Sequence, residues 1–564
     1  MKRKLTLPVI CLFLGLAIAG TAIFADVLGL DQHPGWSRAR IGLLLFGTSL
    51  TLCAVLYYRF MDEVHSKARK LQDIAESLPA QYFILPIVII VILIYAWFGS
   101  SGRWGIWKSH TQYYDSLARS FLNANLYLPI EPDPKLLALP NPYNPSARTG
   151  IEVPVDITLY KGKYYMYWGP VPALILTVIY PFFHGRIGDL FLTFVFVCGI
   201  FLLQTLLLLT IWNRYFRNLP RWALYISILL MGLAGPLMLL RHNYESAVIY
   251  EAAITSGQFF LMGGLLVTLT AVTRSSISRW RLFLAGILWA LAIGSRQILA
   301  APVGFMILIL TFWLFRTNAW SFKKTTQLLI PLGLPLVFGF VCLGWYNWAR
   351  FGSVTEAGLY YQLAGWNLRD HYNELFSQTY IFQNIQNYLF NAIDFTSKFP
   401  FVFMPKGSET QILPFYSVPE VYNAQPIAGL LYTFPFAIFA VVPFFVLASR
   451  RKSAQNYVEA GDRMPLNLIT FGLCGSSLIA FSLLMIFFWA GMRYFGDFTP
   501  SLMALSVVGF WQGYQSLARK PLTNRLYVIC GVILASASIL LSTLLAISTN
   551  SGLVKLIIYR FPFL

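Results

Sequence analysis

The chain has 564 residues, 57% of them hydrophobic and 12% charged, against about 25% charged in an ordinary soluble domain. No soluble core of this size could hide so much apolar surface, but a bilayer can. The net charge of +19 does not point to nucleic acid, because the basic residues are spread through short loops between apolar runs.

The N-terminal Met-Lys-Arg-Lys is followed by an apolar run too long for a signal-peptide core, with no clear cleavage site, and reads as a first membrane span. About thirteen spans are expected, at roughly 5–25, 41–58, 83–99, 189–212, 222–240, 250–272, 281–296, 298–316, 326–346, 426–448, 467–490, 499–516 and 526–547. With the N-terminus cytoplasmic, the short loops Arg59–Tyr82, Arg214–Arg221, Arg274–Arg281, Arg316–Lys324, Arg450–Leu466 and Arg519–Arg525 face the cytoplasm. Together with Lys2, Arg3 and Lys4 they hold 23 of the 42 Lys and Arg but only 6 of the 23 acidic residues, as the positive-inside rule requires. This topology puts the C-terminus outside in a multi-pass membrane protein, with a bacterial plasma (inner) membrane as its expected location. The expected fold class is an all-α polytopic membrane protein. It divides into an N-terminal hairpin over 1–82, a core over 83–346 that includes the outer loop 100–188, a second outer loop over 347–425, and C-terminal helices over 426–564.

The first long segment, Gly99–Gly188, has its own pattern. Thr111–Ala124 repeats apolar residues at helical spacing opposite Asp115, Ser116, Arg119 and Asn123, which predicts an interfacial amphipathic helix. Pro129–Pro145 is too rich in Pro and Asn for a helix. Tyr160-Lys-Gly-Lys-Tyr-Tyr-Met-Tyr-Trp-Gly-Pro predicts a hairpin leading into a helix, and Pro172–Phe183 a helix too short to span. The six cysteines all sit in apolar runs, so no disulfide framework or zinc motif is implied.

On this topology most ionisable groups lie on the outer side. Arg241, His242, Glu245, Glu251, Arg296, Arg350, Arg493 and Asp497 cluster near span ends, where a charge is costly and is a functional candidate, with helix-to-helix ion pairing as the alternative. Arginine and lysine beside a groove between helices suit a lipid-linked phosphate, and a nearby carboxylate could deprotonate an acceptor hydroxyl. That chemistry is glycosyl transfer from a polyprenyl-phosphate donor. A lipid-linked glycan transporter or flippase shares the hydropathy but would place polar residues along a path through the bilayer centre. No Walker or Rossmann glycine motif is present.

The segments Tyr114-Asp-Ser-Leu-Ala-Arg-Ser-Phe-Leu-Asn-Ala-Asn-Leu-Tyr-Leu-Pro and Leu159-Tyr-Lys-Gly-Lys-Tyr-Tyr-Met-Tyr-Trp-Gly-Pro resemble the first outer loop of the GT-C superfamily of membrane glycosyltransferases. The likeness is to the family-39 group of protein O-mannosyltransferases and lipid A aminoarabinose transferases. Tyr250-Glu-Ala-Ala-Ile, Tyr346-Asn-Trp-Ala-Arg-Phe-Gly-Ser and Arg493-Tyr-Phe-Gly-Asp-Phe are similar to segments of bacterial relatives of that group. The resemblance implies a GT-C-like core, a polyprenyl-phosphate sugar and membrane lipid as partners, and a lipid, glycan or protein acceptor. It also implies donor-phosphate contacts among Arg241, Arg296, Lys161, Lys163 and Arg493, with His110, Tyr114, Arg350 and Asp497 as further contacts. The family carries an Asp-Glu pair before the tyrosine-led helix, where this chain has His110 and Thr111. The base then falls among Asp156, Glu251, Asp115 and Glu245. With the pair gone a divalent metal is disfavoured, and no cofactor is expected. A GT-C-like subunit without catalysis remains the third reading.

Overall fold

The computed structural model describes residues 6–23, 25, 40, 43–44, 46–48, 50–51 and 81–560, apart from 106, 108, 110, 184, 241–248, 274–275, 410–417 and 452–463. The chain forms two compact units, Met1–Ile84 and Leu85–Leu564. In the first, helix α1 (Thr6–Ile23) ends where Arg40 donates to the carbonyls of Ala22 and Ile23, at 3.0 and 2.9 Å. A guanidinium there satisfies acceptors that the helix leaves unpaired. The span expected at 41–58 lies largely outside the described residues.

The second unit carries α2 (Gln81–Gly99, from just before the boundary), α3 (Tyr113–Leu122), α4 (Val171–Ile179), α5 (Asp189–Ile211), α6 (Trp222–Leu233), α7 (Ile249–Val272) and α8 (Arg279–Ser295). There follow α9 (Ala300–Thr317), α10 (Phe322–Phe351), α11 (Val442–Arg451), α12 (Met464–Met485), α13 (Thr499–Ser516), α14 (Pro521–Ser548) and α15 (Ser551–Arg560), with shorter turns between them. Among the described residues seven helical stretches are long and apolar enough to cross a membrane: Asp189–Phe216, Trp222–Leu239, Ile249–Val272, Gln297–Thr317, Phe322–Phe351, Pro465–Met485 and Pro521–Ser548. They match seven of the expected spans, and the chain is a multi-pass membrane protein of helices. The count of thirteen is not confirmed. Residues 281–296 and 499–516 are helical but shorter or less apolar. The stretch 426–448 is broken, because Pro435 opens a 3-10 turn, Pro435–Val441, ahead of α11.

Helix α10 shows how the bilayer is met. Ile330, Leu334, Val337, Phe338, Val341 and Trp345 recur at helical spacing and are all more than half exposed. In water that stripe would be a large liability; against lipid it costs nothing. Helix α7 is the opposite case, buried along most of its length between α5 and α8. Two glycines permit close packing, of α7 on α8 and of α8 on α10. A Cβ on Gly264 would come within 2.3 Å of the Trp289 indole, and one on Gly286 within 2.2 Å of the Leu332 carbonyl oxygen.

The polar segment Gly99–Gly188 folds largely as its pattern predicts. Helix α3 forms, capped from a distance by Asp189 of α5, whose carboxylate accepts the Tyr113 and Tyr114 amides at 3.1 and 3.2 Å. One correction concerns its polar face: Asp115 is buried, because α3 lies beneath α4 and the turn before α5. A second concerns Pro129–Pro145, which contains one helical turn, Pro134–Leu137, with Pro134 in the first position and Asp133 as cap. The hairpin forms as β1 (Thr158–Tyr160) and β2 (Lys163–Tyr165), with Lys161 and Gly162 at φ +46° and +72° in the turn.

The second segment closes on the first. The Leu363 amide donates to the Ile157 carbonyl at 2.8 Å, Thr158 Oγ1 to the Gly358 carbonyl at 3.0 Å, and Thr158 pairs with Gln362. Buried Arg148 donates to the carbonyls of Leu363 and Ala364. Strands β3 (Asp394–Phe395) and β4 (Val402–Phe403) form a small antiparallel pair. Strand β5 (Asn423–Ala424) runs parallel to β6 (Trp489–Ala490), joining this segment to the end of α12.

Candidate functional site

These contacts enclose a cavity of about 660 Å³. Asp156, Tyr167 and Trp168 come from the hairpin and its flanks, and Tyr250 from the first turn of α7. Arg296 comes from the corner between α8 and α9, Gln362 and Trp366 from the second segment, and Arg493 and Tyr494 from the 3-10 turn Met492–Asp497. The opposite wall is apolar, with Leu483, Leu484, Phe487 and Phe488 at the end of α12 and Ile298 and Ala301 beside α9. A cleft with few polar groups converging from several elements over apolar walls is the usual form of a small-ligand site.

Asp156 precedes β1 in a left-handed turn, φ +54°. That conformation is uncommon for a residue with a side chain and is best tolerated by Asp and Asn. It turns the half-buried carboxylate to the cavity, where Tyr250 Oη donates to Oδ2 at 2.5 Å. The other carboxylate oxygen has no hydrogen-bond partner among the described residues. Arg493 is buried with its guanidinium over the Tyr250 ring at 3.9 Å and over the Tyr494 ring at 5.0 Å. It donates to Tyr494 Oη at 3.4 Å, its Nε has no partner, and it makes no ion pair among the described residues. One phenol thus stands between a carboxylate and a cation. Burial pushes the neighbouring Tyr167 phenol well above its usual range, so it stays a donor.

Arg296 also borders the cavity, but its charge is met. Its Nε and a terminal nitrogen bond both oxygens of Asp497 at 3.0 and 2.7 Å, a fork-to-carboxylate pair. The corner that holds it needs Gly169, where a Cβ would lie 2.1 Å from the Gly294 carbonyl oxygen.

The other sequence candidates fall elsewhere. Asp115 is outside the cavity wall and saturated: Arg119 Nε at 2.9 Å, the Ile187 amide at 3.0 Å and the Tyr180 hydroxyl all donate to it. Burial would raise its pKa, but those three donors outweigh burial and hold it below the usual carboxylate range. Lys161 and Lys163 stand exposed on the hairpin against the rings of Tyr160 and Tyr127, away from the cavity. Arg350 is buried and donates to the carbonyls of Met166 and Tyr346 and to Asn347 Oδ1, which pins the residue before Tyr167 to the end of α10. Tyr114 is buried in α3, outside the wall, and Glu251 is buried beside Tyr250. His110, Arg241 and Glu245 lie outside the described residues. Among the described residues no three His, Cys, Asp or Glu side chains gather closely enough to hold a metal ion.

Sequence reasoning did not single out Tyr167, Trp168, Tyr250, Gln362, Trp366, Gln425 or Trp489 as site residues, although Tyr250 opened one of the quoted motifs. The tyrosine-rich hairpin carried some signal. Gln425 carried none, being a single neutral residue in its own segment.

No family model matches the chain, and no curated protein matches it. Two solved structures of the oligosaccharyltransferase of Archaeoglobus fulgidus are similar to it. The apo form is 15% identical with a TM-score of 0.41. The form in complex with an inhibitory peptide and a dolichol-phosphate, named AglB, is 14% identical with a TM-score of 0.38. Each match covers 84% of this chain and 56% of the other, so the chain spans about half the length of those proteins.

Proposed function

We propose that this chain is a membrane glycosyltransferase that moves a sugar from a polyprenyl-phosphate donor to a hydroxyl of a lipid, glycan or protein acceptor on the outer face of the membrane. The observation that carries the reading is the pairing across Tyr250: an available carboxylate, Asp156, and a buried arginine, Arg493, that makes no ion pair among the described residues, in one cavity with an apolar wall. Asp156 takes the proton of the acceptor hydroxyl as its oxygen attacks the anomeric carbon. The bond from that carbon to the phosphate oxygen breaks, polyprenyl phosphate leaves, and Arg493 meets its growing charge. Leu483, Leu484 and Phe487 suit the first isoprene units. Placement on the outer face follows from the basic short loops, which put both cavity-forming segments on the side opposite the cytoplasm.

The test is transfer in proteoliposomes holding the full chain and a polyprenyl-phosphate sugar, followed by release of polyprenyl phosphate. Transfer by the wild type and its loss in Asp156→Asn support the reading. Undiminished transfer by Asp156→Asn would sink the assignment of the base, and sugar crossing the bilayer without bond cleavage would favour a transporter.

A further inference from the structure

A base and a phosphate-binding cation work together only if they keep a fixed relation to each other. Asp156 stands in a loop, where the Tyr113 hydroxyl fixes the backbone just before it by donating to the Val155 carbonyl at 3.2 Å. The carboxylate itself takes a single bond among the described residues, from the Tyr250 hydroxyl at 2.5 Å.

Arg493 is placed from the same helix at two levels. Gln258 of α7 donates to the Asp497 carbonyl at 2.7 Å and so fastens the turn Met492–Asp497. About two turns earlier on α7, the Tyr250 ring lies against the guanidinium at 3.9 Å. The next residue, Glu251, is buried and its charge acts on the same guanidinium. Stacking fixes the plane of a guanidinium, and with it the directions of its N–H donors.

Tyr250 is itself held. It sits in the first turn of α7, which is buried between α5 and α8, with its ring edge-on to Trp168 at 5.1 Å between centroids. A phenol suits both contacts, because its hydroxyl donates in the ring plane while its face attracts a cation.

We infer that Tyr250 is a positioning residue with two partners, its hydroxyl aiming the Asp156 carboxylate at the acceptor and its ring orienting Arg493 for the phosphate. This rests on the roles proposed above for those two residues and couples them through one side chain. No proton passes through the tyrosine. The acceptor proton goes to the open carboxylate oxygen, and the phenol keeps its own.

The two contacts can be removed separately. The full chain, in proteoliposomes made with cell-envelope lipid extract, is supplied with polyprenyl-phosphate mannose, glucose or aminoarabinose. Release of polyprenyl phosphate gives the donor KM, and kcat per folded molecule. Tyr250→Phe keeps the ring and is expected to lower kcat about tenfold to a hundredfold, with donor KM within about twofold of the wild type. Tyr250→Leu is expected to lose as much kcat and to raise donor KM about three- to tenfold as well. In an Asp156→Asn background, Tyr250→Phe is expected to change the residual kcat by less than about twofold, because the hydroxyl has no base left to aim. If phenylalanine does not fold there, para-fluorophenylalanine at position 250 fills the hydroxyl's place without donating and gives the same split. Unchanged kcat in Tyr250→Phe would overturn the inference while leaving the donor reading intact. So would a matching rise in its KM, or a further tenfold loss in the Asp156→Asn background. Release from none of the three lipids by the wild type, or full activity of Asp156→Asn, would overturn the donor reading and this inference with it.

Discussion

Asp115 and Asp156 belong to the same polar segment, and each accepts a bond from a tyrosine hydroxyl, yet they end in opposite states. Around Asp115 every approach is taken: Arg119, Tyr180 and the Ile187 amide lock α3 against α4 and the turn before α5. Around Asp156 one oxygen is held by Tyr250 and the other is left open to a cavity. The two arginines repeat the contrast, with Arg296 closed by Asp497 and Arg493 resting on aromatic faces with spare N–H groups. What separates a structural charge from an available one is how far the fold has satisfied it, and residue type does not reveal that.

The sharpest way to break the contrast is at its open members. Asp156→Asn is expected to lower kcat by about a hundredfold to ten-thousandfold with little change in thermal unfolding; a variant that unfolds but retains activity per folded molecule would put Asp156 with Asp115. Arg296→Ala should act on folding, since it strands the buried Asp497 charge at a cost of about 3–5 kcal/mol. Arg296→Met combined with Asp497→Leu should recover much of that loss in a denaturation assay. If the single variant folds normally and only donor use is lost, Arg296 is an available cation after all.

Arg493→Ala is expected to raise the donor KM by about ten- to a hundredfold, with Arg493→Lys recovering part of it because lysine keeps the charge but loses the flat stack. An unchanged KM would move the phosphate away from this residue. The smallest effect is expected at Asp115→Asn, about 1–3 kcal/mol of stability with kcat preserved per folded molecule. Because the folded Asp115 pKa is depressed, its contribution is complete above the ordinary carboxylate range and disappears as pH falls through the folded value. Acid should therefore lower the unfolding temperature of the wild type more than that of the variant, and parallel pH profiles would deny Asp115 its structural role.

Much of the scaffold was legible because bilayer physics is local. A long apolar run, an amphipathic repeat over Thr111–Ala124 and a Lys-Gly turn between tyrosine-rich strands each carry their meaning within a few residues. The break at Pro435 was legible in principle and was outweighed by the surrounding apolar residues. The burial of Asp115 was not legible, because the partners that cover it lie on α4 and before α5.

Composition, periodicity and loop charge by themselves determine that the chain lives in a membrane and where seven of its long apolar helices lie, and they place most ionisable groups in two long segments and at span ends. Only the tertiary structure decides which of those polar groups meet. Asp156, Tyr250, Gln362 and Arg493 lie in four separate stretches of chain, drawn together by the pairing of Thr158 with Gln362 and by the turn between α12 and α13. The physical reason is that hydropathy is summed along the chain, whereas the availability of a charge depends on its neighbours in space.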